Sequence, residues 1–184
     1  MKGKQHLGLK SYAYIAMMAV LICACSWITV PFVVPFTMQT FAVFCSLLLL
    51  GGRRGTAAIG LYVLMGAIGL PVFSGFRGGI GHLIGPTGGY IIGFIFSGIV
   101  YILLEPLIKK GKAFRWAILG TGLLLCYLIG TLWFVAAYSN DGVRYGFMNA
   151  LIVCVAPYVV PDCIKMAFAV FLCDRIGHHI SNKR

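Results

Sequence analysis

Two opposite charges lie three residues apart inside the last apolar run of the chain. Phe147–Leu172 contains Asp162 and Lys165, an i, i+3 pair that shares one face of a helix. An Asp or a Lys at the centre of a membrane helix costs about 2.5–3.5 kcal/mol each on insertion scales. Such groups face the protein interior or a wet cavity, and they have partners. A carboxylate that accepts and an ammonium that donates can together grip a polar small molecule. The plainer alternative is a neutralised ion pair that holds a broken helix together. Pro157 and Pro161 lie in the same run, and each frees a carbonyl that needs polar company. The two prolines are expected to break or kink the run, and Pro161 could stand as a first helical residue, with Asp162 beside the positive helix N-terminus.

A second unusual stretch is Leu70–Gly93, LPVFSGFRGGIGHLIGPTGGYIIG. Its glycines let backbone approach a neighbour closely or adopt positive φ. Gly89, Gly93 and Ser97 fall four apart, a smooth ridge of the kind that lets membrane helices pack tightly. Pro86 reads as a first helical residue after Gly85. The stretch is expected to form the lid and wall of a small-molecule site. A glycine-rich connection followed by helix packing is the alternative.

The elements that must position these groups are membrane spans. The chain has 184 residues, 60% hydrophobic and 10% charged, with a mean hydropathy of +0.95, against roughly 25% charged in a soluble domain. No polar block is long enough for a second domain, so residues 1–184 are expected to form one all-α membrane domain. Six spans follow from the apolar runs, at about 12–30, 37–50, 56–70, 87–107, 116–138 and 147–172. The first is about 28 Å long as a helix, enough to cross the hydrocarbon core. A basic start before an apolar run also fits a signal peptide, but the run is long for one, and it is expected to stay as a helix. Pro31–Pro35 and Gly51–Gly55 are the first two turns, the second of them basic. Trp116 and Tyr138 stand at the ends of the fifth span, where amphipathic rings favour the interface.

Six spans sort the fifteen Lys and Arg residues sharply. Twelve fall on one side: the N-terminal tail, Arg53 and Arg54, the Lys109–Arg115 turn and the C-terminal tail. Arg77 and Arg144 fall on the other, and Lys165 lies within the last span. The positive-inside rule then puts both termini in the cytoplasm. The Pro turn, the glycine-rich loop and the Ser139–Gly146 loop face outward. If the last helix runs to about Ile180, Asp162 lies about 27 Å above its cytoplasmic end, on the side of the glycine-rich loop.

Several function classes are disfavoured. The net charge of +11 sits in short clusters between apolar runs and forms no solvated basic face, so no nucleic acid is expected. The seven cysteines, Cys23, Cys25, Cys45, Cys126, Cys154, Cys163 and Cys173, lie in apolar runs without zinc-type spacing. They read as small apolar packing residues, and no metal is expected. There is no G-x-x-x-x-G-K-[ST] loop, no H-E-x-x-H and no Ser–His–Asp pattern, so neither catalysis nor ATP hydrolysis is expected of this chain. One acid–base pair is a weak basis for a proton-driven pump. A ligand-binding membrane protein that takes its energy from elsewhere fits better.

Four motifs occur in order: Pro35-Phe-Thr-Met-Gln-Thr40, Gly66-Ala-Ile-Gly-Leu-Pro-Val-Phe73, Gly85-Pro-Thr-Gly-Gly-Tyr90 and Pro161-Asp-Cys-Ile-Lys165. With them the chain resembles the BioY family, the biotin-specific substrate-binding (S) components of energy-coupling factor (ECF) transporters, over about residues 12–180. The resemblance implies a six-helix bundle in a bacterial cell membrane and high-affinity capture of biotin from outside, with biotin as transported ligand and no cofactor. It also implies a transmembrane coupling protein and two cytoplasmic ATPase subunits as partners, and a component that topples in the membrane to deliver its cargo. The family's binding features map onto Thr37, Gln39 and Thr40, onto Gly85, Pro86, Thr87, Gly88, Gly89 and Tyr90, and onto Asp162 and Lys165. In the biotin reading Asp162 accepts a ureido N–H, and Lys165 pairs with Asp162 or with the ligand carboxylate. Gln39 or Thr37 completes the polar set, and Tyr90 and Tyr158 give flat apolar contact. One departure concerns docking. Such components commonly carry Ala-x-x-x-Ala on the first helix, whereas here Ala13, Ala16, Ala19 and Ala24 keep no four-residue spacing. A stand-alone secondary vitamin transporter, or an S component for another vitamin, are the alternatives.

Overall fold

The computed structural model describes residues 8–31, 34–138 and 146–181. The described chain is mostly helical. Helix α1 (Leu9–Trp27) leads into a short antiparallel pair, β1 (Thr29–Val30) and β2 (Phe36–Thr37), with Thr29 opposite Thr37 and Val30 opposite Phe36. Then follow α2 (Gln39–Ala67), the short α3 (Ile80–Ile84), α4 (Gly88–Leu104) with a 3-10 turn at Glu105–Lys110, α5 (Lys112–Tyr138), α6 (Phe147–Cys154) and α7 (Ala156–Ser181). Among the described residues, five helices are long and apolar enough to cross a membrane. The polar loop expected around Asp141 and Arg144 lies outside the described residues, as do Met1–Leu7 and Asn182–Arg184.

The basic Gly51–Gly55 stretch does not form a separate loop. Residues 39–50 and 52–67 are two helical limbs of α2 joined directly at Gly51, whose φ of 77° and ψ of 172° are not helical. The limbs double back on each other. Gln39 Nε2 donates to Tyr62 Oη at 3.0 Å, a contact across 23 residues that a straight helix would hold about 34 Å apart. A side chain at Gly55 would strike the Ser46 carbonyl oxygen at 2.7 Å. A φ near +77° is cheap only for glycine, so the reversal is written into one residue. Glu105 braces it by accepting the Gly52 N–H at 3.1 Å.

Helices α4 and α5 pack along the expected ridge. A methyl at Gly89 would meet Trp133 Cβ at 2.2 Å, and one at Gly93 would meet Cys126 Sγ at 2.8 Å. Ser97 Oγ donates to the Gly122 carbonyl oxygen at 2.6 Å. Gly130 on α5 answers with its own missing side chain, whose place the Tyr90 ring occupies. Close backbone approach of this kind is how membrane helices gain packing energy where the hydrophobic effect offers none.

The last apolar run breaks, but not where the prolines suggest. The break is at Val155 (φ −124°, ψ −50°) between α6 and α7. Pro157 then falls in the first turn of α7, where a missing N–H costs nothing. Pro161 lies inside α7; it is not a first helical residue. Asp162 therefore sits in the second turn and gains little from the helix N-terminus, whose field fades within one turn. Its stabilisation comes from side chains. Similarly α4 begins at Gly88 with Thr87 as its N-cap, so Pro86 precedes the helix.

The core runs the length of the bundle and takes in Tyr62, Phe73, Phe134, Ile22, Leu47 and Ile59, all fully buried. Six cysteines are buried in it or beside it, while Cys163 is exposed. The outer faces are apolar too: Leu124, Leu128 and Leu132 on α5, and Val160, Ile164, Phe168 and Phe171 on α7, are exposed. Those spacings form stripes along single helix faces. A bare apolar surface this extensive is at rest only against hydrocarbon.

Candidate functional site

At the end of the bundle that carries β1, β2 and α3, a cavity opens between α2, α4, α5, α6 and α7. Its wall is largely apolar: Val34, Pro35, Ile91, Phe94, Leu123 and Cys126 face it, with the rings of Tyr90, Tyr127 and Tyr158. Thr37, Gln39, Thr40, Thr87, Asp162 and Lys165 supply polar groups. An apolar wall with a few convergent polar groups is the usual make-up of a small-molecule pocket.

The polar groups form one network. Asp162 and Lys165 are only 4% and 6% exposed, so each must find its partners within the protein. Lys165 Nζ donates to Asp162 Oδ1 at 2.8 Å, to the Thr37 carbonyl oxygen at 2.6 Å and to Thr40 Oγ1 at 3.2 Å. It also lies 3.9 Å from the centroid of the Phe36 ring, a cation–π contact. Asp162 Oδ1 further accepts from Thr40 Oγ1 at 2.9 Å, and Oδ2 from Tyr127 Oη at 2.6 Å. An ammonium has three N–H donors, and here all three are engaged. A carboxylate has about four acceptor positions, and three of those of Asp162 are filled.

The sequence-predicted residues mostly converge here. Thr37, Gln39, Thr40, Thr87, Tyr90, Tyr158, Asp162 and Lys165 line the cavity. Gln39 is held by Tyr62, Tyr90 Oη lies 3.3 Å from Thr131 Oγ1, and Tyr158 Oη donates to the Val34 carbonyl oxygen. Gly85 and Pro86 line a second, outer cavity together with Thr29, Pro31, Arg77 and Gly81. Gly88 and Gly89 reach neither: their open faces are taken by the backbone of Leu83 and by Trp133. They set the seat of α4 and do not themselves form wall. Trp133 Nε1 donates to the Gly85 carbonyl oxygen at 3.1 Å, fixing the turn that leads into that seat.

Sequence reasoning missed Tyr127, Phe36 and His82. Tyr127 was hidden because a tyrosine in an apolar helix reads as core. Phe36 lies within one of the four motifs, and its role is visible only with the Lys165 ammonium over its ring. His82 lines both cavities. Its ring stacks on Phe73, centroids 5.3 Å apart, and Phe73 in turn meets Tyr62 edge-on at 5.5 Å. Burial first, and the Arg77 guanidinium second, hold the imidazole pKa below its ordinary value.

Fold and cavity together define a class: a multi-pass helical membrane protein with a largely apolar cavity whose wall includes a buried, neutralised ion pair. Similarity to known proteins narrows it. The model of the BioY family matches residues 1–182, and this chain belongs to that family. A probable biotin transporter BioY of Pyrococcus horikoshii is 42% identical over 143 residues, covering 78% of this chain and 80% of that protein. The biotin transporter BioY of Thermotoga maritima is 40% identical over 159 residues, covering 85% and 89%. A crystal structure of the S-component for biotin from an ECF-type ABC transporter superposes with a TM-score of 0.82 at 25% identity, covering 96% of this chain and 95% of that one.

Proposed function

We propose that this chain binds biotin and takes it up across the cytoplasmic membrane as the S component of an ECF-type transporter. Family membership and the named relatives support the ligand. The observation that carries the site is the buried Asp162–Lys165–Thr40–Tyr127 network in the wall of an apolar cavity. In this reading the remaining acceptor position of Asp162 takes a ureido N–H. The second N–H of Gln39 Nε2 meets the ureido oxygen. Tyr90, Tyr158 and Phe94 cover the ring system and chain. The whole chain acts as one membrane domain with six crossings and cytoplasmic termini. The reversal of α2 at Gly51 and the uneven Lys and Arg distribution support that topology. A transmembrane coupling protein and two ATPase subunits do the work of release.

The experiment has two arms. The purified chain in lipid nanodiscs is titrated with labelled biotin, and vesicles containing the chain are assayed for uptake with and without the coupling module. Saturable binding with uptake that needs ATP and the module is the expected result. Uptake by the chain alone along a gradient would instead establish a secondary transporter. No retained biotin would end the proposal.

A further inference from the structure

Two of the buried cysteines meet. Cys45 on α2 is 2% exposed and Cys173 on α7 is 7% exposed, and both belong to the core those helices share. Their thiols interact directly across the α2–α7 contact; Cys25 on α1 is the next thiol to Cys45 and acts on it more weakly. The register agrees. Asp162, Lys165, Ala169 and Cys173 are all buried, and steps of three, four and four residues keep them on one face of α7. At the cavity that face meets the start of α2, where Thr40 bonds both Asp162 and Lys165. Phe41 stacks on Phe168 beside it, centroids 5.4 Å apart. Cys173 follows Lys165 by eight residues, about 12 Å further along the helix, at the end remote from the glycine-rich loop.

The pair has a route to water. Cys173 directly precedes Asp174, which is exposed and pairs with Arg115 in the first turn of α5. Tyr101 of α4 lies near Cys173 and Arg115 as well. In the topology proposed above this end faces the cytoplasm, where disulfides are rare and those that form are transient or redox-sensing. The reactivity of a free cysteine, more than its packing, is what sets it apart from another small apolar residue.

We propose that Cys45 and Cys173 are a peroxide-sensitive pair that closes a reversible covalent staple between α2 and α7. The Cys173 sulfur attacks hydrogen peroxide. The O–O bond breaks, Cys173 becomes a sulfenic acid, and the thiol proton leaves with the second oxygen as water. The Cys45 sulfur then attacks the oxidised sulfur. The S–S bond forms, the S–O bond breaks, and the hydroxyl leaves with the Cys45 proton as a second water. Two thiols have given two electrons to one peroxide; a dithiol reductant returns them by exchange and becomes a disulfide itself. The staple joins the helix that carries Gln39 and Thr40 to the helix that carries Asp162 and Lys165. It stands independently of the biotin reading.

The test treats the full chain in nanodiscs with hydrogen peroxide, blocks the remaining thiols and maps chymotryptic peptides by mass, before and after dithiothreitol. Chymotrypsin cuts between Phe44 and Cys45 and so separates Cys45 from Cys23 and Cys25. The expected product links the Cys45 and Cys173 peptides with the loss of two hydrogens, and dithiothreitol releases it. The thermal midpoint of the oxidised chain should rise by about 5 °C or more, because the link closes a long loop. Cys45→Ala and Cys173→Ala should each abolish the link and the rise; Cys25→Ala and Cys163→Ala should keep both. Free Cys45 and Cys173 at a peroxide dose that oxidises the exposed Cys163 would overturn the proposal. So would a link from Cys45 to Cys25, a link between two copies of the chain, or an equal rise in the Cys45→Ala chain. The peptide map of the wild type decides the matter even where a variant fails to fold.

Discussion

Replacing Lys165 with methionine separates a structural ion pair from a binding one. The substitution keeps an unbranched side chain of similar reach and deletes the ammonium. Three donated bonds vanish, to Asp162, Thr37 and Thr40. Asp162 stays 4% exposed and loses its only counter-charge among the described residues, keeping the Thr40 and Tyr127 hydroxyls. Breaking one side of a buried pair costs about 3–5 kcal/mol, so Lys165→Met should lower the thermal midpoint in detergent markedly. That loss alone does not reveal function. The double variant Asp162→Asn, Lys165→Met removes both charges, and replacing a whole buried pair is often close to neutral. It should recover most of the stability. It should not recover affinity, because the ligand loses a charge-assisted bond of about 1.5–3 kcal/mol, or roughly 10- to 150-fold in Kd. The assays are thermal unfolding and biotin titration on the same preparations. A double variant that is as stable as wild type and binds biotin within threefold of it would refute the reasoning, leaving the pair a purely structural device.

Three further outcomes follow from the geometry. Tyr127→Phe deletes the 2.6 Å bond to Asp162 Oδ2 with little change in shape; titration should show biotin binding weakened about three- to tenfold, with about 1 kcal/mol lost in stability. Gly130→Ala puts a methyl 2.2 Å from the Tyr90 ring, so it should destabilise by about 1–3 kcal/mol and push Tyr90 toward the cavity; unfolding and titration should both register it. His82 has its pKa lowered from 6.5, by burial first and Arg77 second. As pH falls through about 6.5, the unfolded chain takes up the proton before the folded one, so stability drops below that pH; thermal midpoints from pH 8 to 5 should show a dip that His82→Gln reduces.

The sequence made some of this architecture legible and withheld the rest for identifiable reasons. Asp162 and Lys165 stood out because charge in an apolar run is expensive and therefore rare. The α4 ridge was readable because small residues four apart have one main use in a membrane helix, and Gly89, Gly93 and Ser97 do meet α5. The reversal near Gly51 was readable as a place, though its form was not: one glycine with positive φ turns the chain where a five-residue turn was expected. The helix break was misplaced because a proline's cost depends on its position. In the first turn Pro157 gives up no bond, so α7 can start before it. That Thr29 and His82 line one outer cavity had no sequence signal, since their meeting depends on the path of the loop that buries Phe73.

That loop ties the end of α1 to the wall of the outer cavity. Phe73 fills the space over Gly66, where any side chain would collide with its ring, and it backs His82 from behind. Ser26 Oγ donates to the Val72 carbonyl oxygen, and Trp27 Nε1 to that of Pro71 at 2.9 Å. The end of α1 is thus tied to the segment that presents Arg77. Trp27 also stacks on Phe76, centroids 5.0 Å apart, and Phe76 holds a φ of 58° that a bulky residue adopts only when its surroundings enforce it. The segment is therefore held by specific contacts on both flanks, and Arg77 is presented from a fixed turn. Arg77 thus stands 85 residues of sequence away from Asp162, on a turn whose position is set by the contacts of α1 and of Phe73 and not by the Asp162 network.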